Sequence, residues 1–338
     1  MNNEKDYNLD SRYPDGINRM NLFGIYAQYF YNSQNDKLNI HSGLRINYAT
    51  LYSEFINTAT LLQLPFQEAK QNNFTYSAHV GAVYKTNKSG FVTGSISSAF
   101  RVPNIDDLAK IFESAGGVQL VVPNPELKPE QAITFDLGYR YNAAKQFQFS
   151  INGFYTFFRN AIVLDRFKLN NQDSILYDGT MTPIVANQNK AAAFIYGYNT
   201  QIAYSPLEKL KISLGATYTF GRYNHLDTLV PLDHIPPFYG TVAATYTFKS
   251  ITLKSNIFMN GTKKLKDYNP YGEDNLQYAT PEGVPAWYAW NIYASAQIMK
   301  HADLILGVEN ILDRNYRVFA SGISAPGRNF IVKLTLKL

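Results

Sequence analysis

The densest grouping of metal-capable side chains is His225, Asp227, Asp233 and His234, which fall in one short stretch. Imidazole and carboxylate suit a borderline divalent cation. Their spacing matches no strong ligand signature, however, and a polar loop is the favoured reading. Asp136 with Arg140, and Glu309 with Asp303, are the candidate acid–base pairs, the arrangement a hydrolase would need. No serine is placed beside a base as a nucleophile. Without cysteine, thiol catalysis, disulfides and thiolate-bound zinc are all excluded. Arg101 could hold an anion or satisfy an acid nearby, and the second role is favoured for an arginine at the root of a loop. Tyr268, Tyr271, Tyr278 and Trp287 offer aromatic faces to a ligand, though Trp287 also fits an interfacial girdle. Together these residues suggest binding rather than catalysis, with no cofactor and no metal expected.

The elements that must position them are strands. In the stretch 131–142, Ile133, Phe135, Leu137, Tyr139 and Tyr141 alternate with Thr134, Asp136, Gly138, Arg140 and Asn142. That two-residue period gives one aromatic, apolar face and one polar face. Thirteen such strands are expected, at 21–31, 37–51, 73–86, 91–101, 131–142, 146–159, 192–204, 210–222, 239–248, 251–260, 286–298, 302–312 and 328–338. Many have about ten residues, against about 5–6 in ordinary globular strands. A tilted membrane-crossing strand needs about 9–11.

The connections alternate strictly. Short turns at 32–36, 87–90, 143–145, 205–209, 249–250 and 299–301 interleave with long loops at 52–72, 102–130, 160–191, 223–238, 261–285 and 313–327. Outer-membrane barrels are built this way, with short periplasmic turns and long extracellular loops. A soluble sandwich has no reason for such regularity. Composition agrees. Charged residues make up 17% and aromatics 15%, with 26 Tyr and 22 Phe, whereas soluble domains average about 25% charged. No apolar run approaches the roughly 20 residues of a membrane helix. A net charge of +5 without a basic block gives no nucleic-acid signal.

Parity assigns the faces. Phe147, Phe149, Ile151, Tyr155 and Phe157 should meet lipid, and Gln148, Ser150, Asn152 and Thr156 the lumen. Lys333 and Lys337 should point inward, since a lysine at mid-membrane on the lipid face costs about 2–4 kcal/mol. Asp136, Arg140 and Glu309 then become lumenal charges. In the loop 102–130 a short helix is expected, capped by Asn104, with Asp106 and Asp107 in its first turn and Gly116–Gly117 at its end. Ile105, Leu108, Ile111 and Phe112 would form its apolar face. The stretch after it should be extended because Pro123, Pro125 and Pro129 oppose helix and ladder.

SSAFRVPN (97–104), VPNPELKPE (122–130), IPP (235–237) and GVENILDRNY (307–316), in that order, resemble the C-terminal barrel of TonB-dependent outer-membrane receptors. The resemblance implies an all-β, antiparallel up-and-down transmembrane barrel segment, about 13 strands of a 22-stranded plugged barrel. Residues 1–20 would be a loop segment and 21–338 the barrel portion, without the plug. It implies an outer-membrane location and uptake of a scarce ligand, of siderophore or cobalamin type, at the extracellular loops. Contact with TonB would pass only through a plug segment outside this chain. Asp136, Arg140 and Glu309 would face that plug. The family often carries a Glu near the positions of Asp136 and Asn199, and Asn199 departs from it. Leu338 stands where such barrels usually end in an aromatic residue. FRVP (100–103) and NPEL (124–127) resemble the motifs that flank a ligating His in haem receptors, but 105–123 contains no His. Two other readings are a small stand-alone porin-like diffusion channel and a soluble or surface β adhesion protein. Thirteen strands oppose the first, because single-chain bacterial barrels have even counts. Lipid-directed aromatics oppose the second.

Overall fold

The computed structural model describes residues 13–56, 64–113, 119–143, 146–177, 179–190, 192–225, 228–270, 272 and 274–337. In chain order the strands are β1 (Asn18–Asn32), β2 (Leu38–Glu54), β3 (Glu68–Lys85), β4 (Gly90–Arg101), β5 (Phe112–Glu113) and β6 (Leu120–Val121). Next come β7 (Glu130–Ala143), β8 (Phe147–Arg159), β9 (Ala161–Arg166), β10 (Ser174–Tyr177), β11 (Thr180–Lys190), β12 (Ala193–Leu207) and β13 (Leu210–His225). The last are β14 (Thr228–Pro231), β15 (Tyr239–Phe248), β16 (Ile251–Asn260), β17 (Trp287–Met299), β18 (Ala302–Glu309) and β19 (Asn329–Leu336). Among the described residues a single α-helix, α1 (Ile105–Leu108), lies between β4 and β5.

Thirteen of these strands form a continuous antiparallel wall, β1-β2-β3-β4-β7-β8-β12-β13-β15-β16-β17-β18-β19, with β14 added beside β13. The wall strands coincide with the thirteen expected from the two-residue period. The largest difference is a third strand that starts five residues earlier than expected, at Glu68; the first also starts earlier, at Asn18, and the twelfth ends at Glu309, where Asn310 turns left-handed at φ 46°. Because every neighbour is antiparallel, the six long connections share one rim and the six short turns the other. β1 does not pair with β19, so the wall is open along both of these edges.

The register fixes the two faces. Asp136 sits across from Ser95 on β4, receives a hydrogen bond from Asn152 at 3.2 Å, and lies 3.4 Å from Ser95 Oγ. Thr134 and Thr156 bond hydroxyl to hydroxyl at 2.9 Å on the same face. The opposite face carries an aromatic lattice: Tyr139 with Phe149, Tyr141 with Phe147, and Tyr155, Phe194 and Tyr196 stacked within about 6 Å. Phe135 and Leu137 project from it, 48% and 68% exposed. A wall with apolar residues outside and hydrogen-bonding residues inside suits lipid on one side only. Phe135→Arg is therefore expected to lower refolding yield into bilayers far more than Thr134→Arg, by about 2–4 kcal/mol at mid-membrane depth. Equal yields in a bilayer refolding titration would reverse the face assignment.

The packed interior lies at the long-loop rim. Loops 102–129 and 160–192 build a second, five-stranded sheet of β9, β10, β11, β6 and β5. β6 runs parallel to β11, joining Leu120 to Ile184 and Val121 to Val185. The sequence pattern missed these strands, which are mostly short and unalternated. α1 also ends earlier than expected, at Leu108, because Phe112 is drawn into β5 and pairs with Val121. The glycines expected to end it are among the residues not described. Its cap is as expected: Asn104 accepts from the Asp107 N–H while Asp107 accepts from the Asn104 N–H. Leu108 is fully buried against the wall with Leu51, Phe55, Ala69 and Leu127, so this loop folds onto the inner wall.

Candidate functional site

Two loop assemblies stand over the polar inner wall. The first is rooted at Arg101, at the end of β4. Its guanidinium bridges Asp107 of α1, at 2.5 Å, and Glu130 at the start of β7. Glu130 also accepts the Ile162 N–H at 2.7 Å. Arg101 thus ties the entry of loop 102–129 to its exit and to β9. The bidentate geometry of arginine suits that bridging. Asn124 donates to the Asn187 carbonyl at 2.7 Å, and Asn189 accepts the Lys128 N–H at 2.7 Å, so the two long loops hold each other.

The second assembly gathers loops 228–238, 261–286 and 310–328 around Asp274. That carboxylate is 1% exposed. It accepts the His234 N–H at 2.8 Å and the Asn269 N–H at 3.0 Å. Lys263, 5% exposed, donates to the Ile235 carbonyl at 2.6 Å and lies over the Phe319 ring at 4.6 Å. Arg222 at the top of β13 pairs with Asp267 at 2.5 Å. Tyr268 packs edge-on against Phe319 at 5.3 Å and is only 4% exposed. Tyr278 is 43% exposed, and its carbonyl receives Arg317 at 3.1 Å. Tyr271 lies outside the described residues.

Burial sets the ionisation of this assembly. Desolvation lowers the Lys263 ammonium below its usual value, against the pull of Asp274 and Asp267. Desolvation raises the Tyr268 and Tyr316 hydroxyls, helped by Asp274 and Glu309 respectively. A lysine whose folded pKa is depressed leaves the unfolded chain binding more protons, so stability rises with pH from that lowered value up to 10.5. The tyrosines act oppositely, subtracting stability as pH climbs past 10.0. The parent is expected to gain stability with pH below about 10 when near-ultraviolet melting is followed against pH, and Lys263→Met is expected to lack that rise. A variant with the same slope as the parent would show that Lys263 is not the group responsible.

On the inner wall, Arg140 lines an open concavity of about 560 Å³ with Asn142, Gln148, Ser150, Gln201 and Lys211, toward the short-turn rim. Asp136 and Arg140 are four residues apart on one strand, about 13 Å, and do not meet. Glu309 accepts from the Tyr293 hydroxyl at 2.7 Å and from Asn329 at 3.3 Å. Asp303 pairs instead with Lys337 at 2.6 Å. Six strand residues separate Asp303 from Glu309, roughly 20 Å, so the two carboxylates cannot share a proton. Trp287 has the inward parity of Asn291 and stacks on Tyr316 at 4.1 Å, which takes it out of the lipid girdle. Trp290 faces outward in its place and donates to Ser255 at 2.8 Å. Among the described residues no group of three or more His, Asp or Glu converges as a metal site. Asp227 lies outside them, and His234 leans on Asp274 at 3.8 Å.

An antiparallel wall with lipid-facing aromatics, a polar lumenal face and structured loops on one rim has the architecture of an outer-membrane β-barrel wall. Residues 2–311 match the family described as TonB dependent receptor-like, beta-barrel, and the chain belongs to it. Its members reside in the outer membrane and act as transporters rather than enzymes. No curated protein matches the chain. Among solved structures, the copper transporter OprC superposes with a TM-score of 0.75 at 18% identity, over 94% of this chain and 47% of that one. The FrpB iron transporter from Neisseria meningitidis gives 0.68 at 13%, over 94% and 45%. A point mutant of the ferric enterobactin receptor PfeA from Pseudomonas aeruginosa gives 0.64 at 15%, over 94% and 54%. The chain spans about half the length of these proteins.

Proposed function

We propose that this chain is the C-terminal wall and loop rim of a receptor that takes up a scarce ligand in a TonB-dependent step. A siderophore or cobalamin is the ligand type favoured. The preordered long-loop rim above a hydrogen-bonding lumenal wall carries this reading. Loops already tied by Arg101 and Asp274 lose little further entropy on closing around a ligand. The exposed Tyr278 ring offers it a flat apolar face. Asp136, Arg140 and Glu309, on the inner wall, are the groups proposed to meet a plug supplied by the rest of a longer protein. That the similar structures are copper, iron and ferric enterobactin proteins supports a metal-containing cargo over a metal-free one.

The test is uptake of radiolabelled ferric siderophores and of cyanocobalamin by cells carrying the complete receptor, with and without TonB. Saturable uptake of one ligand class that stops when TonB is removed is expected. Unsaturable uptake that continues without TonB would identify a diffusion channel instead.

A further inference from the structure

The short-turn rim has a charge pattern that ligand uptake does not use. Each of its six turns carries a lysine in sequence: Lys37, Lys88, Lys145, Lys209, Lys249 and Lys300. The same turns hold only two acids, Asp36 and Glu208. Among the described residues, the ion pairs Arg101–Asp107, Arg222–Asp267 and Lys70–Glu68 lie at the opposite rim, while Lys337–Asp303 lies beside the short turn at 299–301. None of Lys37, Lys88, Lys209, Lys249 and Lys300 has an acidic partner among the described residues.

Two of these lysines converge. Lys209, in the turn between β12 and β13, and Lys249, in the turn between β15 and β16, each hold their ammonium 5.4 Å from the centre of the Phe248 ring. Phe248 faces outward and is 47% exposed, across from Ile251 at 46%, while Leu207, at 61%, lies across from Leu210 in the neighbouring hairpin. Lys249 adopts φ 52°, a left-handed conformation. A two-residue hairpin ordinarily gives that position to Asn, Asp or Gly. A strained lysine at this turn is an observation that calls for a function.

We propose that Lys209, Phe248 and Lys249 seat the phosphate of an anionic phospholipid in the periplasmic leaflet. The two ammoniums flank the phosphodiester, and the acyl chains lie along Leu207, Leu210 and Ile251. The remaining turn lysines extend the attraction around the rim. A soluble anion would not need the apolar wall below, whereas a lipid uses both parts. Each lysine near an anionic membrane surface strengthens binding by about fivefold.

The complete receptor, extracted in mild detergent and delipidated, would be titrated with phosphatidylglycerol and with phosphatidylcholine under native mass spectrometry. Phosphatidylglycerol is expected to be retained at least about fivefold better. Lys209→Gln with Lys249→Gln should erase that preference, and Lys70→Gln at the other rim should keep it. Heat-modifiable gel mobility reports folding. If the double variant misfolds, Lys249→Asn, which suits the left-handed turn, should fold normally and still reduce the preference. Equal retention of the two lipids, or an undiminished preference in a folded Lys209/Lys249 variant, would overturn the proposal. Displacement of the lipid by millimolar inorganic phosphate alone would assign a free-anion site and also overturn it.

Discussion

Asp274→Ala is expected to loosen the second loop assembly, at a cost of about 3–5 kcal/mol, the range for breaking a buried charge arrangement from one side. The magnitude follows from what the carboxylate satisfies. Two backbone donors, the N–H groups of His234 and Asn269, end on it, and the buried one, that of Asn269, would be left without an acceptor. Lys263 is almost as buried and would lose the largest of the carboxylate interactions that offset its desolvation, keeping only those with Asp267 and Asp233. Loops 228–238 and 261–285 should then become sensitive to limited proteolysis and exchange their amides quickly, while the wall strands stay protected. Asp274→Asn keeps one acceptor oxygen without the charge and should fall between parent and alanine variant. Unchanged protection of these loops in Asp274→Ala would mean that the packing of Tyr268 on Phe319 orders them without the carboxylate.

Asp274 also shows where the sequence stops being informative. The wall was legible because its signal is local. Residues two apart share a face, and a turn such as Lys249–Ser250 announces itself between two alternating runs. Lumenal placement of Asp136, Lys333 and Glu309 followed from the same parity. Nothing local marks β6 and β11, two segments about sixty residues apart that pair in parallel, or Phe112, whose helical spacing lost to a partner in β6. Trp287 fits a girdle by residue type, although counting back from Asn291 turns it inward. Asp274 sits in an unpatterned polar stretch, and only the folding of three loops onto one another buries it. Tyr268 was expected on the loop surface for the same reason. Its ring is taken up by Phe319, a contact between loops that no spacing encodes. Arg101 was the exception, because acids at 107 and 130 flank it within one strand–loop–strand unit.

The largest effect is expected from a polypeptide of residues 1–338 alone, supplied with an export signal: it should give no ligand-specific uptake and should be degraded or aggregate. β1 is exposed at every position, and β19 is nearly so. Among the described residues neither outer edge has a partner, and each presents a row of unpaired N–H and C=O groups. In hydrocarbon each such group costs several kcal/mol, which is why membrane-crossing sheets close. This wall cannot close on itself without a change of pairing. In an unbroken antiparallel series of thirteen strands the first and last run in the same direction, so joining β1 to β19 would make a parallel seam. Bacterial single-chain barrels avoid that seam by having even strand counts. The exposed edges offer the templates that unpaired strands use to aggregate. Strands added beside β1, from the same polypeptide or one expressed with it, should restore a heat-modifiable folded species in membranes. Saturable, TonB-dependent uptake by cells making only residues 1–338 would show that the wall closes by itself and would overturn this expectation.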